Sequence, residues 1–170
     1  MTPTLHTDRL VFAPYRPEDE EVFVALLRDE VVCRWMGQER SPEMEIRSIF
    51  RSILTDVYAK NMFDVWAVWS GGAYVGHAEI KKTGNVDGYE AVAALVRDHW
   101  GKGLGTELVQ GLLDYAADTL KVTEVYGMVG AENSACLGLA GKMGSRHLRD
   151  VVGDDGTVTK MVVIPVGVRA

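Results

Sequence analysis

The sequence predicts an α/β (α+β) protein built on a mixed central sheet of about six to seven strands, with about four helices packed on both of its faces. Three observations carry this expectation. Four stretches repeat apolar residues at helical spacing, separate stretches are rich in β-branched and aromatic residues, and residues 89–129 run as strand, glycine loop, helix and strand.

The run Thr7 to Ala13 reads as the first strand, stopped by Pro14 and Pro17, which cannot donate to a ladder. Val22, Phe23, Leu26, Leu27 and Val31 then recur at helical spacing, with acids in the first turn and Gly37 past the end. Ser41-Pro42-Glu43 is a helix-start signature, and Ile46, Ile49, Phe50, Ile53, Val57 and Tyr58 mark one apolar stripe beyond it. Val65 to Trp69 and Ala73 to Lys81, joined by Ser70-Gly71-Gly72, form a hairpin by their loop chemistry. After a turn around Gly84 to Gly88, Tyr89 to Val96 carries small and apolar residues on both faces, as a central strand covered on both sides would. Leu108, Val109, Leu112, Leu113, Ala116 and Leu120 form a strong helical stripe, and Thr123 to Val129 reads as the next strand. A short glycine-containing helix from Asn133 to about Met143 follows, then strands near Arg146 to Val152 and Thr157 to Val166 around Gly153-Asp154-Asp155-Gly156.

The 170 residues fit one domain, 1–170, with no linker in view, and the hydrophobic fraction of 47% with 25% charged residues is that of a globular chain. The net charge of −6, with acids crowded from Glu18 to Glu30, repels phosphate backbones and favours cationic partners, so nucleic acid is not expected. No apolar run approaches the roughly 20 residues that cross a bilayer. Cys33 and Cys136 are read as free thiols of a cytoplasmic protein. His6, His77, His99 and His147 are scattered without partners at ligand spacing, and no metal site is proposed. Trp35, Trp66 and Trp69 read as core residues.

The chemistry concentrates in Trp100-Gly101-Lys102-Gly103-Leu104-Gly105-Thr106, between a buried strand and a helix. Unpaired N–H groups and the helix dipole attract an anion there, and glycines let it approach the backbone. A Walker loop needs Gly-x-x-x-x-Gly-Lys followed by Ser or Thr, whereas position 96 is Val96 and Lys102 precedes Gly103. A dinucleotide fingerprint needs its third glycine one residue later and an early strand.

These residues resemble the GNAT acyltransferases, whose signature is Gln or Arg, two residues, then Gly-x-Gly or Gly-x-Ala; Gly103-Leu104-Gly105 fits, with Trp100 in the leading position. The string from Trp100 to Glu107, the segment Thr7-Asp8-Arg9-Leu10-Val11, and Glu132-Asn133 through Lys142-Met143-Gly144 are most similar to the ribosomal-protein alanine and serine N-acetyltransferase branch. The resemblance implies acetyl-CoA as donor, with the amides from Gly101 to Thr106 on its pyrophosphate. It also implies splayed central strands whose N–H groups at Leu95 and Val96 face the thioester carbonyl as an oxyanion hole. Asn133 resembles the asparagine that contacts the cofactor arm, and an Asn before a helix is equally an N-cap.

Glu90 resembles the glutamate that opens the corresponding strand in this branch and is the candidate general base, with Glu79 in reserve; a salt-bridged or solvated face is the ordinary fate of such glutamates. Many relatives place a proton-donating Tyr where this chain has Ala140, and the ribosomal-protein branch often carries a Ser where it has Cys136. A thiol of ordinary pKa near 8.5 matches the leaving thiol, although a free cysteine is more often a small buried hydrophobe. Ser145 also departs from the family's usual aromatic. The expected activity is acetyl transfer to a primary amine in a ternary complex, a protein N-terminal α-amine leading. An aminoglycoside or polyamine acceptor, suited by the acidic first helix, and a non-catalytic acyl-CoA-binding module are the alternatives. A homodimer is possible.

Overall fold

The computed structural model describes residues 1–167. Its elements are β1 (Leu5–His6), β2 (Val11–Ala13), α1 (Glu20–Arg28), α2 (Glu30–Trp35), α3 (Glu43–Ser52), β3 (Asp64–Ser70) and β4 (Ala73–Lys82). These are followed by β5 (Tyr89–Leu95), α4 (Leu104–Tyr115), β6 (Glu124–Gly130), α5 (Ser134–Lys142), β7 (Arg146–Val152) and β8 (Val158–Pro165). All eight strands join one sheet in the order β1-β2-β3-β4-β5-β6-β8-β7, antiparallel throughout except for the parallel pair β5–β6.

The predicted mixed sheet covered on both faces is the observed one, with one more strand and one more helix than expected. The extra strand comes from the opening segment. Thr7 to Leu10 is a turn closed by Thr7 N–H on the Leu10 carbonyl, so the single strand expected from Thr7 becomes two short ones. The extra helix comes from Asp29, which leaves the helical region with ψ 110° and accepts the N–H groups of Val31 and Val32 on Oδ1, ending α1 and capping α2.

Alternation along β3 builds the two layers. Trp66 and Val68 face Phe12, Leu108 and Leu112 beneath α4, whereas Val65 and Ala67 face Tyr15, Phe23, Ile46 and Phe50 beneath α1 and α3. Tyr15 meets Phe23 and Phe50 edge to face at 5.4 and 5.6 Å, which locks the second layer around three rings.

The pairing between β5 and β6 is what positions the site. It consists of Glu90 with Tyr126 and Ala91 with Gly127 and then stops, although β5 runs on to Leu95 and β6 to Gly130. The sheet therefore opens into a wedge between its two central strands.

Candidate functional site

The wedge widens into a cavity of about 670 Å3. Ala91 to Leu95 form one wall, Tyr126 to Val129 the other, Trp35 and Met36 at the end of α2 close one side, and α4 and α5 close the opposite one. Gly101, Gly103, Gly105 and Thr106 stand at its open end, and Glu90 lines it from the closed end.

The glycine loop takes its shape from two left-handed residues, Gly101 and Gly103, each at φ +77°, a conformation that costs glycine little and other residues more. Gly103 is the N-cap of α4, without a side chain to cap with. Consequently, for the backbone N–H groups from Gly101 to Thr106 there is no hydrogen-bond acceptor among the described residues. Unpartnered backbone donors at the positive end of a helix, with Gly101, Gly103, Gly105 and Thr106 on the rim of a cavity, fit a diphosphate.

Most of the residues anticipated from the sequence meet here: Glu90, Leu95, Trp100, Gly101, Gly103, Gly105, Thr106, Asn133 and Cys136 all line the cavity. Val96, Lys102 and Leu104 do not. The Val96 N–H, expected to face the wedge, donates instead to the Val75 carbonyl at 2.8 Å. By the alternation of an antiparallel ladder, Val92 and Ala94 likewise direct their amides to β4, and Ala93 and Leu95 direct theirs into the wedge. Leu104 is buried in the core cluster, and Lys102 is exposed. Trp100 donates Nε1–H to the Leu95 carbonyl at 3.0 Å and meets Trp35 edge to face at 6.2 Å.

Glu90 is buried, and its Oε2 accepts from the Thr83 hydroxyl at 2.7 Å and from Asn85 Nδ2 at 3.3 Å. Both donors engage the same oxygen, which leaves Oε1 without a bond among the described residues. Asn133 fulfils the capping role, its Oδ1 accepting from Cys136 N–H at 3.1 Å, and its Nδ2 also donates to the Trp35 carbonyl at 3.2 Å, tying α5 to α2 across the cavity. Burial pushes the Cys136 thiol above the ordinary value assumed from the sequence, so it stays protonated at neutral pH.

Glu79, the reserve base, is not on the cavity wall. Its Oε1 is 2.8 Å from His77 Nε2, and Lys81 Nζ lies 2.8 Å from Oε2 as an ion pair outside hydrogen-bond geometry. His77 Nδ1 is in turn 2.8 Å from the Tyr15 hydroxyl, so the group is locked into a buried network. Burial alone would raise the Glu79 pKa, but His77 and Lys81 outweigh it and bring it down to about 2. A depressed carboxylate contributes stability above its unfolded pKa and loses it as the pH falls towards the folded one. Glu79→Gln should thus destabilise the protein by roughly 1–3 kcal/mol at pH 7. In urea unfolding the gap between the two proteins should shrink as the pH drops from 4.5 towards about 2.

The sequence reading missed the wall contributed by α2. Trp35, read as core, lines the cavity with Met36, Gly37 and Gln38. The close approach is made by two glycines: a Cβ on Gly130 would lie 2.8 Å from the Trp35 carbonyl, and one on Gly37 would lie 2.4 Å from Thr159 Cγ2. A second cleft, lined by Glu39, Asp154 and Asp155, shares Gly37 and Thr159 with the first.

Comparison with known proteins agrees with this geometry. The family model described as acetyltransferase (GNAT) domain matches residues 9–146. The uncharacterized N-acetyltransferase YoaA of Bacillus subtilis (strain 168) is 25% identical over 167 residues, 92% of each chain. The uncharacterized N-acetyltransferase p20 of Bacillus licheniformis is 25% identical over 140 residues, 80% of this chain and 78% of the relative. Among solved structures, spermidine N-acetyltransferase from Vibrio cholerae in complex with CoA and spermine superposes with a TM-score of 0.78 at 17% identity, covering 94% of this chain and 97% of that one. A GNAT-family acetyltransferase from Bacillus anthracis gives 0.77 at 18% identity, covering 96% and 98%.

Proposed function

Because this chain belongs to the GNAT acetyltransferase family and is an acyltransferase that uses acetyl-CoA, we propose that it acetylates a primary amine inside the wedge between β5 and β6. The observation that carries this reading is the wedge itself, with orphan amides at its open end and a carboxylate at its closed end. Acetyl-CoA supplies an activated acetyl thioester there, and its carbonyl carbon is what the amine attacks.

The remaining steps belong to this chain. The amides from Gly101 to Thr106 bind the diphosphate, and the N–H groups of Ala93 and Leu95, aimed into the wedge, stabilise charge on the thioester oxygen. Glu90 accepts a proton from the incoming ammonium on Oε1, the oxygen that Thr83 and Asn85 leave open. Cys136 holds a proton on Sγ for the departing thiolate, and the apolar walls built by Val129, Leu112 and Leu139 exclude water.

For the acceptor, the α-amino group of a protein comes first, on the strength of the segments at Thr7 to Val11 and Glu132 to Gly144 that resemble the ribosomal-protein branch. An α-amine near pKa 8 also demands less of the base than a side-chain amine near 10.4. A polyamine is the second reading, favoured by the acidic cleft of Glu39, Asp154 and Asp155 that joins the cavity at Gly37 and Thr159. A screen with thiol release as readout, comparing peptides that begin with Ser or Ala against spermidine and spermine, separates the two. The first reading requires kcat/KM at least about tenfold higher for a peptide, and the reverse order overturns it. Tight coenzyme A binding with no thiol release for any amine would defeat both.

A further inference from the structure

Glu107 sits in the first turn of α4, beside the amides proposed to hold a diphosphate. A free carboxylate there would repel the very ligand those amides attract. It is not free. The turn between β1 and β2 reaches over it: the Arg9 backbone N–H donates to Oε2 at 2.7 Å, Arg9 Nε–H donates to Oε1 at 2.8 Å, and the Thr7 hydroxyl donates to Oε2 as well. Burial would raise the Glu107 pKa, but these donors outweigh it and hold the group ionised.

Arg9 does more than neutralise. Its Nη1 donates to the Lys102 carbonyl at 2.8 Å, in the middle of the glycine loop, and a Cβ built on Gly103 would lie 3.3 Å from its Nη2. One planar guanidinium therefore joins the helix start to the loop, and its third nitrogen, which donates to none of the described residues, lies against Gly103. Both Gly101 and Gly103 are left-handed and the loop's amides have no partners among the described residues, so the Arg9 bond to the Lys102 carbonyl is a tie on the loop from outside it.

We propose that Arg9 is a positioning residue for coenzyme A: it fixes the glycine loop through the Lys102 carbonyl, cancels the charge of Glu107, and presents Nη2 to a phosphate of the ligand. The proposal rests on the loop being the coenzyme A site. It explains why a segment almost a hundred residues away in sequence makes three hydrogen bonds to Glu107 at the helix start and one to the loop itself.

Calorimetric titration of coenzyme A into the wild type, Arg9→Ala, Arg9→Lys and Arg9→Ala/Glu107→Gln, with steady-state kinetics alongside, tests it. Arg9→Ala should raise Kd and the KM for acetyl-CoA about tenfold with kcat within about twofold. Arg9→Lys should fare little better, because an ammonium cannot span both anchors, and the double variant should regain part of the loss because the unpaired carboxylate is gone. Titration with 3′-dephospho-coenzyme A locates the Nη2 contact: a penalty that persists assigns it to the diphosphate, and one that vanishes assigns it to the ribose phosphate. Binding by Arg9→Ala within twofold of the wild type would overturn the proposal, as would a parallel collapse of kcat and melting temperature. Wild-type protein that does not bind coenzyme A would instead refute the loop assignment.

Discussion

Gly103→Asp should raise the dissociation constant for coenzyme A by about a hundredfold or more while lowering the melting temperature only modestly. Aspartate is among the residues that tolerate the left-handed conformation found there, so the backbone cost is small. The new side chain's Cβ would lie 3.3 Å from Arg9 Nη2, and its carboxylate would add a fixed anion beside the orphan amides that a diphosphate is proposed to use. Gly103→Asn, of the same shape and uncharged, should bind distinctly better than the aspartate variant, which isolates charge from bulk. Titration calorimetry paired with thermal melting makes the measurement. Wild-type affinity in Gly103→Asp would mean that these amides hold nothing.

The second large effect is expected at Glu90. Glu90→Gln preserves the bonding capacity towards Thr83 but removes the proposed proton acceptor, and kcat should fall by about two orders of magnitude. Activity should then depend on the fraction of acceptor already neutral, so the pH optimum moves upward. The alkaline limb carries separate information. In its proposed role Cys136 must be protonated, and burial raises its pKa, so in the wild type that limb should lie above the ordinary thiol range and should be missing from Cys136→Ala. A pH–rate profile of kcat for the three proteins reads both. If Glu90→Gln keeps the wild-type profile, the carboxylate is only a partner for Thr83 and Asn85.

The glycine loop was legible because its chemistry is local: three glycines before an amphipathic helix leave amides unpaired wherever that helix packs. Glu90 and Cys136 were legible only as positions in a pattern, and the cavity that gathers them depends on where β5 stops pairing with β6, a matter of long-range register that no local signal encodes. The same distinction explains Val96. Which of two successive amides faces the wedge is decided by the pairing with Val75 on β4, and a shift of one residue exchanges them. Trp35 was read as core because a tryptophan ending a helix usually is; Gly130 and Gly37 bring α2 against the sheet, and neither glycine announces that in its neighbourhood. The opening strand was misjudged for a related reason. Thr7 to Leu10 has strand composition, but the donors it offers Glu107, a hundred residues on, bend it into a turn.

The interrupted pairing of β5 and β6 also makes the molecule mechanically uneven. Two antiparallel plates, β1 to β5 and β6 to β8, are stitched by two residue pairs, so the sheet can part along that seam with both plates left whole. A long ligand laid into it would act as a rivet, so that resistance to heat, to proteases and to amide exchange along Ala93 to Leu95 becomes a property of the loaded protein more than of the empty one.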